Sequence, residues 1–441
     1  MFRGAFLERA DVLIRGCVVL PMKGQGLISD GAIAIKDGKI TYVGKRSSVA
    51  NLQADLELGA RGKVALPGLV NCHTHVPMTL FRGLAEDQPL NAWLKDTIWP
   101  LEDKLSKDDV YAGAALGCLE MIKGGTTCFA DMYFHEDMVA EAVEQSGLRA
   151  ALAEGIIEAG NKSLGEQMFK ASVDFAGRFS GQDNGRVTAM LGPHASYSCS
   201  PELLTRIREK SSELNVRVHM HLAESKAMFK DFEKKHGSSE VEFLDGLGFL
   251  KSDVVAAHCL SLSSRDRQIL SKRGVNVVHV PVANMKLGLG AAKVKDLLQV
   301  GLNVSLGTDG PASNNTLDMF ETMKFAALLQ KLAYHDPRVL SAYEALKMAT
   351  IDGARALGLE SDIGSLEVGK KADIILVDLS KPHLKPLHDI YASLVYSARA
   401  SDVDTVIVDG KVLMENRQVE TLNEQAVLEK AEKVAYDLVS R

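Results

Sequence analysis

The sequence predicts an α/β protein, a (β/α)8 TIM barrel with a small β-sandwich domain formed by both chain ends. Two observations predict this fold class. Strand-like and helix-like segments alternate through the middle of the chain, whereas both ends carry short strands separated by tight-turn signals. A length of 441 residues suits one large domain plus a smaller one, and 46% of these residues are hydrophobic, which is enough to form a large core.

Residues 1–65 are predicted to form the first half of the β-sandwich domain. Their apolar segments are short, and Gly and Asp-Gly signals typical of hairpin turns bound them. The segments cover residues 11–22, 31–44 and 54–64.

Residues 66–362 are predicted to form a TIM-barrel domain, in which helical segments such as 108–123 and 201–215 follow the strands. Eight segments rich in aliphatic and β-branched residues predict buried strands. They are KVALPGLVN (63–71), GGTTCFADM (124–132), RAALAEGII (149–157), RVTAMLGPH (186–194), VRVHMHLAE (216–224), DVVAAHCL (253–260), VNVVHVP (275–281) and NVSLGTDG (303–310). A doubly wound open sheet is the alternative, but no Gly-x-Gly-x-x-Gly follows the first strand.

Residues 363–441 are predicted to form the second half of the β-sandwich domain plus a C-terminal surface helix over 423–441. Both chain ends carry an Asp-Gly-Lys hairpin, at 37–39 and at 409–411. Because the termini of a domain often lie close together, we interpret the two ends as one domain, with two unrelated β ends as the alternative.

Charge and composition exclude several classes of function. A formal net charge of -6 and a pI of about 6.1 favour neither a nucleic-acid surface nor a membrane partner. The N-terminal stretch lacks the apolar region of a signal peptide, and no apolar stretch reaches about 18 residues. We therefore expect a cytoplasmic protein.

His73 and His75 end the first predicted barrel strand with one residue between them. In a strand, residues i and i+2 point to the same face, so both imidazoles enter one space and can bind one metal ion. Two satisfied polar side chains at a strand end are the alternative. Later strands end in similar groups, which are His194, His221 with Glu224, His258, His279 and Asp309. Because active sites of TIM barrels form at the C-terminal ends of the strands, these groups favour a convergent metal site.

These residues resemble the amidohydrolase superfamily. The strand-four end carries no lysine of the kind that is carbamylated in the two-metal branch, which points to the one-metal deaminase branch. More closely, the chain is similar to the 5-methylthioadenosine/S-adenosylhomocysteine deaminases from about residue 11 to 415. The motifs that carry this resemblance are NCHTHVPMTLFRGLAEDQPLNAWL, FADMYFHED, HLAES, NMKLG and LGTDGPASNN.

The resemblance implies a role for each matching residue. The implied ligands of one divalent metal ion are His73, His75, His221 and Asp309. Zinc is the expected ion, with iron, nickel or manganese as alternatives. His258 orients the nucleophilic water, Glu224 shuttles protons, and Asp309 can also relay a proton. Glu102 binds the ribose hydroxyls, His194 hydrogen-bonds the nucleoside, and Trp93 lines the base pocket.

The implied function is hydrolytic deamination of 5'-modified adenosines to the hypoxanthine form with release of ammonia. The substrates expected are 5'-methylthioadenosine, 5'-deoxyadenosine, S-adenosylhomocysteine and adenosine. A deaminase or dechlorinase of another heterocycle, such as an s-triazine or guanine, is the alternative, and a non-catalytic assembly protein is a third hypothesis. The implied partner is a small-molecule nucleoside, and a homo-oligomer is compatible with the resemblance.

Several residues also have ordinary structural interpretations. His219 shares a face with His221 and is interpreted as a packed core histidine, while His279 is either a substrate contact or part of a turn. Glu86 and Asp87 are interpreted as a solvated loop. Glu154 stands where some relatives place an arginine near the substrate's amino-acid tail, so we expect it to disfavour S-adenosylhomocysteine.

Overall fold

The computed structural model describes residues 9–84, 86–179 and 185–441, and it confirms the predicted fold class. A parallel eight-stranded barrel stands beside a separate sheet built from both chain ends. Residues 1–8 of the predicted N-terminal half lie outside the described residues. The strands are β1 (Arg9–Val19), β2 (Ile28–Lys36), β3 (Lys39–Lys45), β4 (Gln53–Gly59), β5 (Lys63–Pro67), β6 (Leu69–Thr74), β7 (Thr126–Tyr133), β8 (Arg149–Ile156), β9 (Val187–Pro193), β10 (Arg217–Leu222), β11 (Val254–His258), β12 (Asn276–His279), β13 (Asn303–Leu306), β14 (Ile374–Asp378), β15 (Val403–Val408), β16 (Lys411–Glu415) and β17 (Gln418–Val419).

The helices connect the barrel strands and close the chain. They are α1 (Leu90–Ala92), α2 (Trp99–Glu102), α3 (Lys107–Gly124), α4 (Glu136–Ser146), α5 (Lys162–Phe179), α6 (Pro201–Leu214), α7 (Lys226–His236), α8 (Glu240–Gly246), α9 (Ser264–Arg273), α10 (Pro281–Lys286), α11 (Val294–Gln299), α12 (Pro311–Asn314), α13 (Met319–Tyr334), α14 (Ala342–Met348), α15 (Ile351–Ala356), α16 (Ile390–Ala392) and α17 (Glu424–Ser440). Turns of 3-10 helix cover Arg46–Val49, Val76–Phe81, Pro382–Leu384 and Ala400–Asp402, and π-helical turns cover Trp93–Ile98 and Ser393–Ser397.

Serine caps explain where many of these helices begin. In each case the hydroxyl oxygen accepts a hydrogen bond from the backbone N–H three residues into the helix, which satisfies one of its free donors. The capping residues are Ser106, Ser200, Ser225, Ser239, Ser263 and Ser341.

The barrel strands β6 to β13 pair in chain order, each parallel to the next. Hydrogen bonds of Asn71 connect the last strand to the first. The side-chain N–H of Asn71 donates to the Thr308 hydroxyl at 2.8 Å, and its side-chain oxygen Oδ1 accepts from the Thr308 backbone N–H at 3.0 Å. The backbone N–H of Asp309 donates to the His73 carbonyl at 2.9 Å. These bonds bring Asp309 beside the two histidines of the first strand.

The predicted strand at 63–71 is two strands. Lys63–Pro67 pairs antiparallel with β14 in the chain-end sheet, whereas Leu69–Thr74 is the first strand of the barrel. Gly68 lies between them, and its N–H donates to the Asp373 carbonyl at 3.0 Å. The prediction of a single barrel strand was therefore wrong, because Pro67 and Gly68 mark a crossing between sheets.

Both chain ends form one nine-stranded sheet in the order β17-β16-β15-β14-β5-β1-β2-β3, with β4 paired to β1. The two Asp-Gly-Lys hairpins meet in space. Gly38 and Gly410 have φ of 73° and 77°, and a Cβ on Gly38 would lie 2.8 Å from the Asp409 carbonyl oxygen. Both turns therefore require glycine for their backbone conformation and for this close approach.

A buried ion pair ties the barrel to the chain-end sheet. The guanidinium of Arg149, at the start of β8, donates to both carboxylate oxygens of Asp373 at 3.0 and 3.2 Å. Both side chains are only 2% exposed. None of the helices in the described residues combines the length and the apolar character needed to cross a membrane.

Candidate metal and active site

The groups predicted at the strand ends converge at one end of the barrel. His73 lies in β6 and His75 directly follows it, His258 ends β11, and Asp309 follows β13. The ligand atoms of two overlapping triplets lie within 4.8 Å of one another. The triplets are His73, His75 and His221, and His73, His258 and Asp309.

Short distances connect the members of this cluster. Nε2 of His75 lies 3.3 Å from Oδ1 of Asp309, and Nε2 of His73 lies 3.6 Å from the same oxygen. Nε2 of His221 lies 3.3 Å from Nε2 of His75. Asp309 has a φ of 66° and His258 a φ of 69°, a backbone region that residues other than glycine rarely adopt. Such strain clusters at functional sites, where the surrounding structure holds it in place.

Backbone carbonyls determine which ring nitrogen of two histidines carries the proton. Nδ1 of His75 lies 2.6 Å from the Met132 carbonyl oxygen, and Nδ1 of His221 lies 2.9 Å from the His194 carbonyl oxygen. Since a carbonyl only accepts, both Nδ1 atoms donate and both Nε2 atoms carry lone pairs. Two lone pairs facing each other at 3.3 Å repel unless a cation lies between them. Nε2 of His73 is also buried without a hydrogen-bond partner. The donor set therefore fits a divalent metal ion.

The protonation states of the cluster suit metal binding. Burial lowers the pKa of His73 to about 4 and lowers the pKa of His221 well below its usual value. Burial alone would raise the pKa of Asp309, but the nearby imidazole of His73 and the other histidines around it bring it below its usual range. At neutral pH the imidazoles of His73 and His221 are therefore neutral and the carboxylate of Asp309 is ionised, as metal ligands must be.

Glu224 and His258 lie on the cavity side of the site. Nε2 of His258 lies 4.0 Å from Oε1 of Glu224, and Nδ1 of His258 lies 3.1 Å from Oδ1 of Asn284. Because the amide oxygen only accepts, Nδ1 of His258 donates and its Nε2 is free to accept. Burial raises the pKa of Glu224, against the opposing effect of the His258 charge. A raised pKa favours the protonated form of this carboxyl group, which can then donate a proton as well as accept one.

A cavity of about 710 Å³, including its open mouth, extends from these residues to the surface. Its outer wall is mainly apolar and includes Leu90, Leu94, Ile98, Met132, Phe134 and Ile157. Glu102, Trp93 and His194 also line it, so each predicted substrate-binding residue reaches the same space as the cluster. The ring of His194 lies beside that of His221, with centroids 4.7 Å apart, and its Nδ1 lies 3.1 Å from the Ser198 hydroxyl. Burial lowers the pKa of His194 to about 3, which keeps it neutral.

Glu102 lines the same cavity as Tyr133 and Trp93. Burial raises the pKa of Glu102 to about 7, although the Tyr133 hydroxyl and His75 act in the opposite direction. The Trp93 indole N–H is buried without a hydrogen-bond partner. Unpaired buried polar groups are costly, so groups facing a cavity are suited to a polar ligand.

The structure corrects two sequence interpretations and adds a contact to a third. Among the described residues that line the cavity, Glu154 is absent. Its carboxylate accepts hydrogen bonds from the backbone N–H groups of His135 and Glu136 at 3.1 and 2.8 Å. It is therefore bonded at the start of α4, and it gives no reason to disfavour S-adenosylhomocysteine. Glu86 is not merely solvated, because it pairs with Nζ of Lys286 at 3.0 Å. His219 is buried as expected, but its ring bonds to His73 at 2.8 Å.

Other residues were missed or left undecided by the sequence. His279 is fully buried, has no partner for either ring nitrogen and does not line the cavity within the described residues. Tyr133 could have been found, because it ends the second barrel strand within the motif FADMYFHED. Asn284 lies in the NMKLG motif, but nothing local to that motif indicates its bond to His258.

The chain matches known proteins over nearly its full length. It matches the amidohydrolase family over residues 64–413. It is 49% identical over 433 residues to 5'-deoxyadenosine deaminase of Methanosarcina mazei, which covers 98% of this chain and 99% of the relative. It is 48% identical over 417 residues to 5-methylthioadenosine/S-adenosylhomocysteine deaminase of Moorella thermoacetica, covering 94% of this chain and 97% of the relative. A crystal structure of an adenosine deaminase from Xanthomonas campestris with bound zinc has a TM-score of 0.95 at 33% identity, covering 98% of this chain and 100% of that one.

Proposed function

The chain belongs to the amidohydrolase family, and from this membership and its site we propose that it is a metal-dependent hydrolytic deaminase of 5'-modified adenosines. The reaction converts the adenine ring to hypoxanthine and releases ammonia. The substrates proposed are 5'-deoxyadenosine and 5'-methylthioadenosine, with adenosine and S-adenosylhomocysteine as further candidates. One observation carries the proposal: Glu224 and His258 line one cavity together with the proposed metal ligands His75, His221 and Asp309.

The proposed ligands of one divalent ion are His73, His75, His221 and Asp309. Three imidazoles and one carboxylate suit zinc, and the similar adenosine deaminase was crystallised with zinc. Iron, nickel and manganese are the alternatives. A bound ion of this kind supplies Lewis-acid activation of water at neutral pH.

His258 positions the attacking water. Its Nδ1–H is held by Asn284, so its Nε2 lone pair points away from that bond and accepts a hydrogen bond from the water. Glu224, 4.0 Å away, lies on the same side of the cavity and can contact the adenine ring and the water together. The two residues therefore orient the nucleophile toward C6.

The proton transfers balance through Glu224 and Asp309. Glu224 gives its proton to the ring nitrogen beside C6 as the water oxygen forms its bond to C6, and it takes one proton back from that water. The second water proton passes through Asp309 or Glu224 to the amino group, the C6–N bond breaks, and ammonia leaves. The raised pKa of Glu224 supports this role, because a group must be both a donor and an acceptor near neutral pH.

Glu102 and the apolar outer wall support a nucleoside substrate with an uncharged 5' group. A carboxylate can accept hydrogen bonds from both ribose hydroxyls, and the Trp93 N–H, which has no hydrogen-bond partner, belongs to a side chain that lines the same cavity. Among the described residues that line the cavity, none is lysine or arginine. The carboxylate of a homocysteine tail would thus lose water without gaining a counter-charge from the protein, which favours methyl and methylthio groups over homocysteine.

A deamination screen on the zinc-loaded protein tests this proposal. The panel is 5'-deoxyadenosine, 5'-methylthioadenosine, adenosine, S-adenosylhomocysteine, free adenine, guanine and an aminotriazine, with the Glu224→Gln protein as the control for contaminating deaminases. Turnover of the uncharged 5'-modified nucleosides, with S-adenosylhomocysteine weaker, is the expected result. Turnover of only the free bases or the triazine would favour the alternative heterocycle hydrolase and remove the ribose role of Glu102.

A further inference from the structure

His73 differs from His75 and His221, the other two proposed histidine ligands, in the partner of its Nδ1 atom. His75 and His221 bond to backbone carbonyls, whereas Nδ1 of His73 lies 2.8 Å from Nε2 of His219. Both rings of the His73–His219 pair are fully buried. This contact is a hydrogen bond between two imidazoles, so either ring can be the donor.

The direction of this hydrogen bond decides whether His73 can bind a metal ion. If Nδ1–H of His73 donates to His219, then Nε2 of His73 carries a lone pair toward Asp309 and can be a ligand. If Nε2–H of His219 donates instead, then neutral His73 carries its proton on Nε2 and cannot be a ligand. Nε2 of His73 lies 3.6 Å from Oδ1 of Asp309, so in this second arrangement its proton faces the carboxylate.

We infer that His219 is a positioning residue that holds His73 in its metal-binding tautomer, an inference that rests on the proposed metal site. In the metal-bound protein, Nε2 of His219 accepts from His73, and the proton of His219 is on Nδ1. In the metal-free protein, both rings carry their proton on Nε2. Metal binding therefore shifts one proton within each ring of the pair and changes the net charge of neither ring.

The unpaired atoms of the pair support this inference. Within the described residues, Nε2 of His73 and Nδ1 of His219 are the two ring nitrogens of the pair that have no hydrogen-bond partner. A metal ion at Nε2 of His73 satisfies the first of these atoms and selects the tautomer in which His219 accepts. Partners that bond to the second nitrogen of a ligating histidine fix its tautomer and orientation, and their loss typically weakens metal binding by about 10- to 100-fold.

Two variants of His219 separate hydrogen bonding from packing. His219→Phe fills the space but cannot accept a hydrogen bond, whereas the side-chain oxygen of His219→Gln can accept from Nδ1 of His73. Titration of each zinc-loaded full-length protein with a chromophoric chelator measures zinc affinity without an activity assay. His219→Phe should bind zinc about 10- to 100-fold more weakly than the wild type. His219→Gln should recover most of that loss. His279→Phe changes another fully buried histidine outside the ligand set and should leave zinc affinity unchanged.

The tautomers themselves can be observed in the unmutated protein. Two-bond 1H–15N spectra of 15N-histidine-labelled protein should show the proton of His219 on Nε2 without zinc and on Nδ1 with zinc, with the signal assigned through His219→Gln. Wild-type zinc affinity in His219→Phe, equal losses in both His219 variants, or Nε2 protonation of His219 in the zinc-loaded protein would each overturn the inference. Failure of the deamination screen with weakened zinc binding in His219→Phe would instead count against the proposed function alone.

Discussion

Lowering the pH through 7 should weaken the contribution of the ribose hydroxyls to catalysis by this protein, because Glu102 must be ionised to accept hydrogen bonds from both. Burial raises the pKa of Glu102 to about 7, with the Tyr133 hydroxyl and His75 opposing the shift. The charged form of a carboxyl group exists above its pKa. The ribose contribution should therefore be present at pH 8 and lost as the pH falls toward 6.

The size of the effect follows from that pKa. With a pKa of about 7, the ionised fraction of Glu102 falls from about nine-tenths at pH 8 to about one-tenth at pH 6. The value of kcat/KM reports on the free enzyme, so its ribose-dependent part should fall about tenfold over this range. Glu102→Gln removes a charged acceptor whose hydrogen bonds are worth roughly 1.5–3 kcal/mol, which corresponds to a loss of about 10- to 100-fold at pH 8.

The assay compares two substrates so that other titrating groups cancel. The ratio of kcat/KM for 5'-deoxyadenosine to kcat/KM for 2',3',5'-trideoxyadenosine isolates the two hydroxyls. The ratio should rise with pH around 7 in the wild type and be flat in Glu102→Gln, while Asp108→Asn, at an exposed residue in the first turn of α3, should behave as the wild type. A ratio that does not change with pH in the wild type, or equal losses for both substrates in Glu102→Gln, would refute the ribose role.

Three further substitutions test other parts of the molecule. Glu224→Gln should lower kcat by about 10²- to 10⁴-fold and keep its metal by elemental analysis, because its role is proton transfer; loss of the metal would contradict that role. His73→Ala should lose metal and turnover together, and full metal occupancy in this variant would remove His73 from the ligand set. Arg149→Ala should lower the free energy of unfolding by about 3–5 kcal/mol, because it leaves the buried carboxylate of Asp373 without its ion-pair partner. Urea titrations measure this loss, and KM should not change. Wild-type stability of the variant would show that the ion pair contributes little.

The ligand groups could be predicted because two general rules act on them together. Residues i and i+2 of a strand share a face, and barrel active sites form at the C-terminal ends of strands, so the strand-end groups were expected to meet. The choice of His73, His75, His221 and Asp309 among them as ligands came from the family resemblance. The joined chain ends were also predictable, since both carry the same hairpin, and Gly38 and Gly410 do meet in space.

The remaining features depend on contacts between distant segments, which local patterns do not encode. The crossing at Pro67 was hidden because the residues on both of its sides are equally apolar, although they belong to different sheets. The position of Glu154 depends on which backbone N–H groups of α4 come near it. The bond between His73 and His219 joins residues 146 positions apart, and only the closed barrel brings them together.

The measurement that tests the central claim most directly is ammonia release from 5'-deoxyadenosine by the purified protein as zinc is removed and restored. Zinc-loaded protein should release one ammonia for each hypoxanthine formed, lose this activity with a chelator, and regain it when zinc is added back. A protein that holds zinc at the His73–Asp309 cluster and yet releases no ammonia from any adenine nucleoside would contradict the claim.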